Sequence, residues 1–257
     1  MQAPTGCDLD GFHMTSVAIF ATCFNDTLYP KTIAATVILL RKLGYKPEIP
    51  QSQGCCGQMH INTGYPKLAI PMVENFVSSF VGYDYVVSPS ASCVGSVRHQ
   101  HAQVASASGV NSLVDAVNEL APRVLDISEF LIDVVGVEDV GAVFAHKVTY
   151  HTTCHSLRAI QVGDRPLRLL KAVRNIEYVP LENSDSCCGF GGTFSVKNSE
   201  VSSAMMVDKI DAAVRTGAQW LVSGDNSCLM HLGGGLSRRG SSIKTAHLVE
   251  ILAGTLV

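Results

Sequence analysis

The chain has 257 residues, of which 47% are hydrophobic and 16% charged, so it can bury a sizeable core and is not a disordered chain. Its formal net charge of −3 and its scattered lysines and arginines exclude the basic surface of a nucleic-acid-binding protein. Because the sequence shows neither a secretion signal nor a run of roughly 18–20 apolar residues, we predict a cytoplasmic protein without a transmembrane segment.

The first half of the chain alternates strand and helix signals around three cysteine positions. Residues 1–13 lack periodicity and are interpreted as a leader or tag. The predicted elements that follow are a strand at 16–22, a helix at 32–44, an extended run at 46–50, a helix at 67–80 in which Pro71 favours a kink, and a strand at 83–89. Residues 111–145 are helical with a break at Pro122, and we expect them to join the two halves.

The second half shows the same succession of signals. The predicted elements are a strand at 146–152, a helix at 166–174, an extended run at 176–180, a helix at 200–217, a strand at 218–224, and a final strand and helix within 243–256. This alternation predicts an α/β protein made of two pseudo-repeated Rossmann-like units with parallel sheets. The predicted halves are 14–143 and 144–257.

Eight of the nine cysteines belong to an internal repeat, and only Cys7 has no counterpart. Each half has a cysteine after its first strand, an adjacent pair followed by glycine, and a cysteine after a later strand. The carboxyl ends of parallel strands share one edge of a sheet, so we expect four cysteines to meet at that edge in each half, as cysteine ligands. The predicted quartets are Cys23, Cys55, Cys56 and Cys93, and Cys154, Cys187, Cys188 and Cys228.

Three interpretations of these cysteines compete. Isolated buried cysteines are common, but eight in duplicate register are not explained by packing. A zinc site is possible in principle, yet zinc ligands usually occur in C-x₂₋₄-C pairs, which this sequence lacks. An iron–sulfur cluster is favoured, because adjacent thiolates can reach different irons of one [4Fe–4S] unit. Glycines after the pairs would let backbone N–H groups approach the cluster sulfurs: Gly57, Gly189, Gly191 and Gly192.

The cysteine pattern resembles the CCG cysteine-rich domain found in heterodisulfide reductase and in the iron–sulfur subunits of enzymes that oxidise glycolate and glycerol 3-phosphate. From about residue 15 to 255 the chain more closely resembles the lactate utilization protein A family. The matching segments are VSPSASC (87–93), GVEDVGA (136–142), CCGFGGTFSVK (187–197) and CLMHLGGGL (228–236). The resemblance implies an iron–sulfur electron-transfer subunit, with one or two [4Fe–4S] clusters, in a complex that oxidises L-lactate to pyruvate with other iron–sulfur subunits.

The sequence departs from the wider family pattern at the last cysteine of each half. Ser96 and His231 stand there, so four thiols remain per half and disulfide-cleaving chemistry is not carried over. His151, His155 and His231 flank the second site, where hydrogen bonding or packing is expected of them. No catalytic residue is predicted, so we expect a subunit rather than an enzyme that acts alone. The alternatives are a heterodisulfide-reductase-like or glycolate-oxidase-like redox subunit and a structural zinc protein; zinc is also expected as a substitute ion.

Overall fold

The computed structural model describes residues 15–256, and the predicted leader at 1–13 lies outside the described residues. Within them, seven strands form two sheets in which every strand pair is parallel. The predicted α/β class with parallel sheets is therefore confirmed. The strands are β1 (Val17–Ile19), β2 (Tyr85–Ser88), β3 (Val124–Asp126), β4 (Lys147–His151), β5 (Glu177–Tyr178), β6 (Trp220–Ser223) and β7 (Lys244–His247).

Helices cover the sheets and supply the cysteine-bearing turns. None of those in residues 15–256 combines the length and the apolar character that crossing a membrane requires. The helices are α1 (Cys23–Leu28), α2 (Pro30–Lys42), α3 (Gln58–Asn62), α4 (Ile70–Phe80), α5 (Ala91–Ser108), α6 (Asn111–Leu120), α7 (Ile127–Glu129), α8 (Arg165–Ala172), α9 (Phe194–Lys197), α10 (Ser199–Arg215), α11 (Asn226–Arg238) and α12 (Leu248–Ala253).

The two sheets have equivalent strand orders. The first runs β1–β2–β3 and the second runs β5–β4–β6–β7. In the first sheet the place of β5 is taken by a single parallel bridge between Glu48 and Ala18. The extended run predicted at 46–50 therefore contributes one bridge rather than a strand of several residues. With that bridge included, β1, β2 and β3 correspond to β4, β6 and β7.

The helix predicted within residues 111–145 is present as α6, and it ends before Pro122 as expected, but the segment is more than a helical connection. The segment contains β3, which pairs with β2, and it continues into α7 and a π-helical segment at Phe130–Val135. Asp126 and Glu129 form a capping box at the start of α7, as His247 and Glu250 do at the start of α12. Residues 124–135 are therefore the first-half counterpart of β7 and α12.

The kink expected at Pro71 is absent. Pro71 lies in the first turn of α4, directly after a 3₁₀ turn at Pro66–Ala69. A proline at that position breaks no hydrogen bond, because the first N–H groups of a helix have no partner within the helix. The helix α4 therefore begins beside Pro71 and continues without a kink to Phe80.

The two halves share one hydrophobic core. Apolar residues of β1 and α2 pack in the same cluster as residues of β4 and α12. The hydroxyl of Thr32 on α2 donates a 2.7 Å hydrogen bond to Glu250 on α12, and Lys42 Nζ donates to the carbonyl of Ala253 at 2.6 Å. The C-terminal helix thus packs on the first half, and the division at residues 143 and 144 stays a prediction.

The capping residue of α12 predicts a pH dependence of stability. His247 Nδ1 accepts a hydrogen bond from the N–H of Val249, and burial lowers the pKa of this histidine below 6.5. The unfolded chain then binds the proton more readily, so this stabilisation is complete above pH 6.5 and is lost as the pH falls through the folded pKa. We expect the free energy of unfolding to decrease there by up to about 1.4 kcal/mol per pH unit.

Urea titrations of the wild type and His247→Asn at about pH 5.5 and 7.5 measure this contribution. Asparagine also caps helices, so the variant keeps the cap and loses only the titrating group. Other buried histidines contribute equally to both proteins. An identical pH dependence in the two proteins would show that His247 has no part in it.

Candidate metal centre

The first cysteine quartet assembles from two turns that follow strands and from one loop that follows the bridge at Glu48. Cys23 begins α1 after β1, Cys93 lies in the first turn of α5 after β2, and Cys55 and Cys56 lie in the loop before α3. The Sγ atoms of Cys23 and Cys55 are 3.5 Å apart, as are those of Cys56 and Cys93. The fold therefore brings together thiols separated by more than thirty positions in the sequence.

The second quartet has the same construction. Cys154 follows β4, Cys228 lies in the first turn of α11 after β6, and Cys187 and Cys188 lie in the loop before α9. The Sγ atoms of Cys188 and Cys228 are 3.1 Å apart, and the thiol of Cys154 hydrogen-bonds to that of Cys187. All eight cysteines predicted as a site are thus found in two groups of four.

Backbone N–H groups point at one sulfur of each cysteine pair. The N–H of Gly57 donates to Cys55 Sγ and the N–H of Gly189 donates to Cys187 Sγ, both at 3.4 Å. Positive φ angles of 79° and 90° at these glycines produce this orientation. Gly191 and Gly192 also have positive φ and border the cavity described below, without a hydrogen bond to a cysteine among the described contacts.

The thiols of each quartet are electrostatically unequal. Hydrogen bonds from neighbouring thiols lower the pKa of Cys55 to about 2, with Cys23 as the main donor. The corresponding bonds from Cys154 and Cys188 lower the pKa of Cys187 to about 2. The donor thiols have raised pKa values because they give their protons to these bonds. Each quartet therefore stabilises a thiolate, the form of cysteine that binds metals.

Both quartets face a single cavity of ≈ 470 Å³. Its wall includes Phe24, Phe190 and Val196 beside the cysteines, and one carboxylate, that of Asp225. Asp225 accepts hydrogen bonds from the N–H groups of Ser92 and Ser227, both at 3.1 Å, so it joins the two halves between the sites. The sequence predicted one cysteine edge per half, but not that the two edges border the same cavity.

Ser96 and His231, which stand where the wider family pattern has its last cysteine, contact residues other than the cysteines. The hydroxyl of Ser96 donates to Gln100 at 2.8 Å. His231 Nε2 lies 3.3 Å from Ser202 Oγ, and its ring packs near Phe190. These contacts agree with the hydrogen bonding and packing expected of His231.

Two buried histidines, His101 and His151, also lie beside the cysteines. His101 is fully buried and its Nε2 lies 2.8 Å from the carbonyl oxygen of Cys56, which fixes the backbone of the first cysteine pair. No sequence motif marks His101, because it stands eight positions after Cys93 and outside the repeated cysteine segments. His151 is also fully buried, and one of its ring nitrogens lies within 4.8 Å of the sulfurs of Cys188 and Cys228. Among residues 15–256, neither ring nitrogen of His151 has a hydrogen-bond partner.

The spacing of the thiols can be compared with the ligand geometry that zinc and an iron–sulfur cluster require. Thiolates bind both zinc and iron–sulfur clusters. A tetrahedral zinc with Zn–S bonds of about 2.3 Å needs sulfurs roughly 3.8 Å apart, slightly more than the 3.1–3.5 Å seen here. Structural zinc sites are closed, however, whereas these sulfurs border a cavity with room for a group larger than one ion. The residues therefore fit a thiolate-held metal group.

Comparison with known proteins agrees with this architecture. The CCG family, described as a cysteine-rich domain, matches residues 17–98 and 148–233, one match for each quartet. The chain is 40% identical over 236 residues to lactate utilization protein A of Geobacillus sp. (strain WCH70), covering 92% of this chain and 98% of that protein. It is 37% identical to lactate utilization protein A of Bacillus subtilis (strain 168), with the same coverage.

Among solved structures, a hypothetical protein from Helicobacter pylori shares the fold, with a TM-score of 0.62 and 10% sequence identity. The match covers 96% of this chain and 52% of the other, so the chain spans about half the length of that structure. The fold and the two quartets define a protein with two CCG cysteine-rich domains. Within that class, the chain belongs to the lactate utilization protein A family.

Proposed function

We propose that this chain is an iron–sulfur electron-transfer subunit that serves the oxidation of L-lactate to pyruvate. The observation that supports this most directly is the pair of thiol quartets on one cavity. The substrate comes from the relatives, whose name refers to lactate utilization. A reducing cytoplasm would keep the eight free thiols available for metal binding.

The stoichiometry of the reaction suits a chain with two redox sites. Oxidation of L-lactate to pyruvate releases two electrons and two protons. When bound, a [4Fe–4S] cluster supplies one-electron redox chemistry. Two equivalent thiol quartets therefore provide for the two electrons of one substrate molecule, one at each site.

The chain's own residues would bind and tune the metal group. The cysteines supply thiolates, and the N–H groups of Gly57 and Gly189 donate to sulfur, an interaction that raises the reduction potential of such sites. Phe24 and Phe190 line the cavity and make part of its wall apolar. These are the roles of an electron carrier.

The cavity is poorly suited to bind lactate itself. None of the described residues lining it is lysine or arginine, and its single carboxylate, Asp225, would repel an anionic 2-hydroxy acid. We therefore propose that other subunits of a lactate-oxidising complex bind the substrate and perform its oxidation. This chain would accept the electrons from them.

Metal analysis after strictly anaerobic purification tests the proposal. We expect about eight irons and eight acid-labile sulfides per chain if both quartets hold [4Fe–4S] clusters. Zinc bound in stoichiometric amount without sulfide would instead identify a structural zinc protein.

The shared cavity gives a specific reason to retain one rival function. A disulfide substrate lying between the two quartets would meet both redox sites, as in a subunit that reduces disulfides. Rapid reduction of a disulfide by the isolated, cluster-loaded chain would favour that function. Reduction that requires the partner subunits and lactate would favour electron transfer.

A further inference from the structure

The two quartets are equivalent in position but differ in the residues behind them. Ser88 Oγ donates a 2.9 Å hydrogen bond to the carbonyl of Phe20, and Ser223 Oγ donates one of the same length to the carbonyl of His151. Phe20 and His151 each stand three positions before the first cysteine of their quartet. The two residues therefore occupy the same place in the two halves.

A second pair of equivalent positions lies on the helices that pack against the cysteine pairs. A Cβ placed on Gly57 would contact Met72 of α4, and a Cβ placed on Gly189 would contact Met205 of α10. These methionines are 133 positions apart, as are Phe76 on α4 and Lys209 on α10. Lys209 thus stands where the first half has Phe76.

The first quartet is backed by aromatic rings. Phe20, Phe76 and Phe80 are all buried, and their ring centroids lie between 4.7 and 5.6 Å apart. These three side chains carry no charge and no hydrogen-bond donor. His101 also belongs to this wall, since its ring centroid lies 5.2 Å from that of Phe76 and its Nε2 bonds to the carbonyl of Cys56. The residues named behind the first site are therefore aromatic, with an imidazole but no ammonium group among them.

The second quartet is backed by a cation and an imidazole. Lys209 is 1% exposed, and its ammonium group donates to the carbonyl of Asn183 while interacting electrostatically with Cys187, Cys188 and Cys228. A ring nitrogen of His151 lies within 4.8 Å of two of those sulfurs, and neither of its ring nitrogens has a hydrogen-bond partner in the part of the chain that the structure describes. Asp185 also acts on Lys209, but it is exposed to solvent, where its charge is screened.

These differences have a direct electrostatic consequence. Each electron that enters a thiolate-held cluster adds negative charge, which a nearby buried cation and N–H donors stabilise. Asp225 opposes this effect at the second site, where its charge acts on Cys154, but the N–H groups of Ser92 and Ser227 donate hydrogen bonds that compensate part of that charge. We therefore attribute the difference in reduction potential between the two sites to Lys209 and His151, which lie behind the cysteines of the second site.

We propose that His151 and Lys209 give the second site the more positive reduction potential, so that it is the electron acceptor within the chain. One electron passes from the reduced first site to the oxidised second site, which oxidises the first and reduces the second. This direction rests on the proposed function, since it requires a cluster at each quartet.

Potentiometric titration followed by EPR tests the order of the potentials. Cys56→Ser leaves the second site to be titrated, and Cys188→Ser leaves the first. We expect the site that remains in Cys56→Ser to be reduced at the more positive potential. Equal potentials, or the opposite order, would overturn the inference. Absence of iron and sulfide from the wild type would instead refute the proposed function.

The contribution of the two residues is tested by His151→Phe and Lys209→Met, which remove the imidazole and the ammonium group from behind the second site. At a fixed potential we expect each to lower the ratio of reduced to oxidised second site at least tenfold, about 59 mV for a one-electron couple. The first site should not change. Lys197→Met removes an exposed lysine of the same half and is the matched control. If neither variant that retains its iron shifts the reduction potential of the second site more than Lys197→Met does, these side chains do not set that potential. If both variants lose their iron, the order of the two reduction potentials measured in Cys56→Ser and Cys188→Ser decides whether the inference holds.

Discussion

Replacing Cys188 by serine should remove about half of the iron bound by the chain, because the second quartet loses a thiolate while the first keeps four. Cys188 is 2% exposed, and its sulfur lies 3.1 Å from that of Cys228. A serine hydroxyl is a much weaker ligand for iron than a thiolate. Iron and sulfide quantitation on anaerobically purified protein measures the loss.

Cys7→Ser is the matched control for this experiment. Cys7 has no counterpart in the repeat, so its removal should leave the iron content unchanged. Full iron content in Cys188→Ser would show that Cys188 is not a ligand. Loss of iron from both sites would show that the quartets do not load independently.

Replacing Gly189 by alanine should lower the free energy of unfolding by about 3 kcal/mol. The φ of Gly189 is +90°, a conformation that alanine adopts only with strain. Its new Cβ would also lie 2.5 Å from the backbone oxygen of Ser202. Because that oxygen belongs to α10, it cannot rotate away as a side chain would. Urea unfolding followed by circular dichroism gives the value.

Gly192→Ala separates the steric contribution from backbone strain. Gly192 also has a positive φ, of +60°, but no atom lies within 4 Å of a Cβ placed there. We expect this control to cost about 1 kcal/mol, from strain alone. Equal losses for the two variants would mean that the contact with Ser202 relaxes at little cost.

The fold class and the membership of both quartets could be predicted from the sequence. Strands and helices alternate at regular spacing, and the cysteines repeat in register, so topology alone places Cys23 and Cys93 at one sheet edge. The strand at Val124–Asp126 was missed because it has three residues and follows a proline-interrupted helical pattern. Its likeness to β7 and α12 lies in the capping boxes rather than in the overall sequence.

The features that depend on packing between distant segments could not be predicted in this way. The common cavity requires the relative placement of the two sheets, which no local pattern encodes. The difference between Phe76 and Lys209 has meaning only once α4 and α10 are known to occupy equivalent places behind the cysteine pairs. Sequence periodicity identifies helices such as these, but it does not identify what each face contacts.

The packing of α12 on α2 has a consequence for biosynthesis. A ribosome adds about 5–20 residues per second, so α2 waits roughly 10–40 s after its own translation before residues 248–253 are made. During that interval Leu39 and Leu40 lack part of their native cover. The nascent N-terminal half is then exposed to aggregation, and separately expressed halves should associate poorly into a native protein.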